Sequence, residues 1–120
     1  MVIALRSFRR SGVSDWILQR LSAVIMLVYS ATILCALIPS TNFLDWHAFM
    51  TQFWMQFFST LVLLSIAVHA WIGLWAVMTD YITVRMLGSR GDLLRTILLF
   101  MIGLLLVVYL IWGFSIIWGI

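Results

Sequence analysis

The chain has 120 residues, 65% of them apolar and only 9% charged, with seven Arg against four Asp for a net charge of +3. A soluble domain this small leaves so much of itself in water that it could not hide this much apolar side chain, so the class is integral membrane. The Arg residues avoid three long stretches instead of forming a surface stripe, which argues against a nucleic-acid partner; the single Cys35 excludes a disulfide framework or a cysteine-built metal site from this chain alone.

Taken in chain order, the first uncharged run, Leu21 to Ile38, has 18 residues and covers about 27 Å at 1.5 Å per residue, close to the hydrocarbon thickness. Pro39 ends it. Its length and the lack of a small-x-small site near Ala36 favour a retained span over a cleaved signal peptide. Asp45 and Asp80 bracket 34 uncharged residues, too many for one crossing, so Trp46 to Gln56 reads as an aromatic interfacial lead-in to a span from about Phe57 to Met78. The third run, Thr96 to Ile120, is preceded by Ser89 and Asp92, a spacing that resembles a capping box. The expectation is an all-α membrane protein of one domain, 1–120, with an N-terminal segment 1–14 and spans at about 15–38, 54–79 and 93–118.

Arg6, Arg9, Arg10 and Arg20 precede the first span, and Arg85, Arg90 and Arg95 lie between the second and third. Neither the first loop nor the C-terminus has any. The positive-inside rule therefore predicts a cytoplasmic N-terminus, a cytoplasmic 79–95 loop and a periplasmic C-terminus.

An ionisable residue inside a span must be hidden or used. Only His69 qualifies, 11 residues or about 16 Å from Asp80 and so near mid-membrane. Ser65 and Gly73 lie one turn either side on its face, with Ala76 a further turn on. Two readings are open. Small residues around an imidazole let something flat lie against the helix, and neutral His is a common axial ligand of haem iron; equally, they let another helix pack closely with His69 hydrogen-bonded across the interface. One His cannot ligate both haem faces, so the first reading implies a second chain. The hydroxyl or carbonyl of Ser65 is the expected acceptor for the ring nitrogen facing away from a metal.

Asp80 and Tyr81 lie together at the cytoplasmic end of the second span, where a phenol beside a carboxylate can hydrogen-bond a quinone carbonyl, or can simply be an aromatic-belt residue next to a helix end. Arg20, at the start of the first span, either snorkels to phosphate or pairs with a buried anion. His47 reads as solvated, and Trp71 and Trp75 as packing against partner helices rather than as a cofactor box. A transporter is disfavoured because every Asp lies outside the uncharged runs.

The segment His69-Ala70-Trp71-Ile72-Gly73-Leu74-Trp75-Ala76-Val77-Met78-Thr79-Asp80-Tyr81 resembles the H-A-W-I-G-x-W-x-V-x-T-D-Y stretch of the succinate dehydrogenase hydrophobic membrane anchor family. Gly12-Val13-Ser14-Asp15-Trp16-Ile17-Leu18-Gln19-Arg20 is similar to that family's lead-in to its first helix, and Tyr109-Leu110-Ile111-Trp112-Gly113 to its third. The resemblance implies a bacterial inner-membrane subunit that pairs with a cytochrome b subunit to hold one haem b. It implies His69 as one axial ligand, Tyr81 as a hydrogen-bond donor to ubiquinone with Asp80 beside it, and Arg20 as a neighbour of the haem propionates. It further implies docking of the flavoprotein and iron–sulfur subunits on the cytoplasmic face, with no covalent chemistry in this chain. The alternative is a purely structural anchor.

Overall fold

The computed structural model describes residues 12–40 and 42–120; Arg6, Arg9, Arg10 and most of the 1–14 segment lie outside the described residues. The described residues form five helices and no strand: α1 Gly12–Leu37, α2 Phe43–Met50, α3 Phe53–Tyr81, α4 Val84–Leu87 and α5 Arg90–Trp118. Helices α1, α3 and α5 are long and apolar enough to cross a membrane.

The helix boundaries follow local chemistry. Helix α1 stops at Leu37 because Pro39 lacks an N–H and disfavours helical backbone at the residue before it. The Ser40 hydroxyl then donates to the Ala36 carbonyl at 2.6 Å, satisfying one of the orphan acceptors at the helix end. Asn42 caps α2 by accepting from the Asp45 N–H at 2.9 Å. This short aromatic helix is the expected lead-in, and a break at Thr51 and Gln52 separates it from α3.

Between the second and third spans the expected capping box does not form. The Ser89 side chain makes no cap hydrogen bond and its backbone is helical. Thr83 caps α4 instead, accepting from the Met86 N–H at 3.3 Å. Asp92 pairs with Arg95 at 2.9 Å. Gly88, at φ 72°, turns the chain directly from α4 into α5, so no extended residue is left to act as an N-cap at Ser89.

Helix α3 is the centre of the bundle: it packs on α1 along one side and on α5 along the other, and the outer two make little contact with each other. The fully or nearly buried side chains, Met55, Ser59, Val62, Leu63, Ser65 and Ala67, are all on α3 apart from Ser22 of α1 and Gly91. Most of the remaining apolar surface faces outward, as suits a chain whose solvent is lipid.

Inside that solvent, polar side chains need internal partners. The Tyr29 and Ser59 hydroxyls meet at 2.8 Å between α1 and α3. On the other side, Gln56 Nε2 donates to the Ile117 carbonyl at 3.2 Å and Trp118 Nε1 donates to Thr60 Oγ1 at 3.0 Å. Trp71 lies over Gly103, where an added Cβ would meet its ring at 3.6 Å, so this Trp packs on the third span of its own chain.

Candidate functional site

The α1–α3 contact brings together residues far apart in sequence. Along α1, Asp15, Gln19, Ser22, Met26 and Tyr29 are spaced four and three apart, which places them on one stripe. That stripe meets α3 antiparallel. Gln19 sits over Gly73, whose Cβ would come 3.3 Å from the amide nitrogen, Ser22 meets His69, and Tyr29 meets Ser59.

His69 Nδ1 lies 3.0 Å from Ser22 Oγ, and the same hydroxyl lies 3.0 Å from the Gln19 carbonyl oxygen. Ser22 is 4% exposed, whereas the His69 side chain is only partly covered. The second ring nitrogen, Nε2, has no hydrogen-bond partner among the described residues. The imidazole thus has one nitrogen anchored inside the chain and one unspent.

The expected acceptor was Ser65, and the structure corrects this. The Ser65 hydroxyl donates to the Leu61 carbonyl of its own helix at 2.9 Å, and the ring is held by the first span instead. A serine inside an apolar helix satisfies itself on the preceding turn, so proximity in sequence did not make it the partner. Ser65 and Gly73 do serve close packing against α1, in line with the helix-packing reading of the small residues around His69.

Asp80 and Tyr81 end α3, and both are exposed, Tyr81 at 67%. They are 11 and 12 residues from His69, or about 16 to 18 Å along the helix. Arg20 is exposed with its guanidinium 4.6 Å from the centre of the Trp16 ring, and makes no ion pair with another described residue. At 100° per residue Arg20 is turned about 200° from Ser22 on α1, so the structure does not bring it beside the imidazole. His47 is exposed on α2, tilted against Phe43 with ring centres 5.4 Å apart.

Sequence reasoning missed Gln19 and Ser22. Their signal was the polar stripe through an otherwise apolar span, running from Asp15 to Tyr29 at helical spacing.

The donor set suits one kind of metal group. No cluster of three or more His, Cys, Asp or Glu that could encage a bare ion occurs among the described residues. A single imidazole with a free nitrogen suits a haem, which brings four nitrogens of its own. The cleft beside Ser22 and Ser65 is about 120 Å³, below the roughly 300 Å³ of sites that enclose a ligand, so a porphyrin would have to lie outside this cleft. Near the same contact, Gln19 Oε1 is buried with no hydrogen-bond partner among the described residues.

No family model matches the chain. Among curated proteins it is similar to the succinate dehydrogenase hydrophobic membrane anchor subunit of Coxiella burnetii (strain RSA 493 / Nine Mile phase I), at 32% identity over 111 residues, covering 91% of this chain and 90% of that protein. A three-helix membrane fold and an identity at this level over nearly the full length of both proteins place the chain in the family of succinate dehydrogenase hydrophobic membrane anchor subunits.

Proposed function

We propose that this chain anchors a succinate:ubiquinone oxidoreductase in the bacterial inner membrane, gives one axial ligand to a haem b and forms part of the ubiquinone site. The observation that carries the reading is His69: an ionisable ring inside a span, anchored through Nδ1, with Nε2 unspent. The second axial ligand comes from a cytochrome b subunit. A bound haem supplies one-electron storage between two low-spin iron states; this chain's part is to hold an imidazole nitrogen in place for it.

The remaining roles follow from position. The seven Arg on one side of the membrane against none on the other favour a cytoplasmic N-terminus and 79–95 loop with a periplasmic C-terminus. Tyr81, exposed at the end of α3, donates its phenolic hydrogen bond to a ubiquinone carbonyl, with the Asp80 carboxylate beside it to take part in the proton balance. Arg20, unpaired among the described residues, binds an anion at the cytoplasmic surface, assigned to a haem propionate. The iron–sulfur and flavoprotein subunits dock on the same face, where electrons from succinate arrive, and the flavin chemistry stays in those subunits.

A second reading, a purely structural anchor, draws on the close packing of Ser65 and Gly73 against α1 and on the His69 hydrogen bond. Replacing His69 by Leu in the assembled complex separates the two. Loss or alteration of the haem b absorption spectrum is expected; an unchanged spectrum removes the axial role and leaves the tether.

A further inference from the structure

We propose that Ser22 is a positioning residue for His69: with the Gln19 carbonyl behind it, its hydroxyl holds the ring in the tautomer that carries a proton on Nδ1 and a bare lone pair on Nε2. The proposal rests on the haem-ligand reading and adds to it the residue that makes the ligand competent. The argument is a count of protons. The Ser22 hydroxyl has one hydrogen and two neighbours at 3.0 Å, the Gln19 carbonyl oxygen and His69 Nδ1. A carbonyl oxygen has no proton to give. The hydroxyl hydrogen therefore goes to Gln19, and what the serine oxygen offers the ring is a lone pair. Nδ1 must then be the donor. A neutral imidazole has a single N–H, so Nε2 is the unprotonated nitrogen. The reverse assignment would leave two oxygens 3.0 Å apart with no hydrogen between them. Ser22 is buried, so water does not supply a substitute.

The same arrangement recurs in this chain where its direction is unambiguous. Thr60 Oγ1 donates to the Gln56 carbonyl at 2.8 Å and lies 3.0 Å from Trp118 Nε1. An indole nitrogen only donates. There, a hydroxyl bonded back to its own helix accepts a ring N–H from a neighbouring span, as assigned here to Ser22. An Nδ1–H donating to an oxygen raises the basicity of the opposite nitrogen, which favours ferric over ferrous iron.

The test is the haem midpoint potential in the assembled complex. Ser22→Ala is expected to weaken the preference for the ferric state and so raise the potential, a tenfold change in that preference reading as about 59 mV for one electron. Ser22→Thr keeps a hydroxyl and is expected to restore the native value. Equal potentials for the native and Ser22→Ala complexes, both with haem bound, overturn the proposal. If Ser22→Ala fails to assemble, the native complex decides. With ¹⁵N-labelled histidine and the haem reduced to its diamagnetic state, a downfield-shifted, slowly exchanging Nδ1–H of His69, as a hydrogen bond to the Ser22 oxygen requires, supports the assignment, and an Nδ1–H with the shift and exchange of an unbonded imidazole refutes it. An unaltered haem spectrum in His69→Leu defeats the axial reading. Equal potentials with His69 still a ligand defeat only the role of Ser22.

Discussion

Hydroxyls and imidazoles inside this chain behave according to what is left for them once the backbone has been served. Ser30, Thr32, Ser65 and Ser115 each donate to the carbonyl four residues back, so all four spend their hydrogen within their own helix. Tyr81 is a different case, because an exposed phenol at the end of a span is free to meet a ligand. Tyr81→Phe removes one hydrogen-bond donor and no ring, so quinone reduction by the assembled complex is expected to fall about tenfold or more while subunit content is unchanged, read by dye-linked against quinone-linked assays. Full quinone reduction in that variant would return Tyr81 to the aromatic belt. His69 was legible in the sequence because an ionisable group in an apolar run is rare. Ser22 was not, since the choice among several serines depends on how α1 is rotated against α3, and that is set by packing over the whole contact.

At the scale of the element, helix length and apolar content were legible, and so was the stop at Pro39. The α4–α5 corner was not, because it is decided by contact between backbones. An added Cβ on Gly91 would lie 2.7 Å from the Thr83 carbonyl oxygen and 2.9 Å from its carbon, atoms that cannot move without undoing the cap of α4. Gly91→Ala is expected to destabilise this corner by about 1 to 3 kcal/mol, as overpacking does. Limited trypsin digestion provides the check, with faster cleavage at the exposed Arg85 and Arg90. Gly12→Ala, where a Cβ meets nothing within 4 Å among the described residues, serves as the matched control and should leave the digestion pattern alone.

The whole molecule has a direction across the membrane, and the proposed chemistry depends on it. Alkaline phosphatase fused after Ile120 is expected to be active, and the same enzyme inserted between residues 83 and 89 inactive. The opposite result would put Asp80 and Tyr81 on the outer face, away from the side proposed for docking of the iron–sulfur subunit. That three helices are long and apolar enough to cross could be read from hydropathy alone; that the middle one separates the other two could not, since hydropathy does not say which helix packs on which.

This separation means that the two flanks of the subunit answer to different events. Helix α5 grips α3 through Gln56, Thr60, Leu63 beside Gly113 and Trp71 over Gly103, and none of these residues is shared with the α1 stripe that tethers the ring. A lipid, inhibitor or substitution that wedges the C-terminal helix outward would strain those notches and leave the imidazole's tether in register, so damage on that flank should show as loss of assembly with unchanged redox behaviour in the copies that survive.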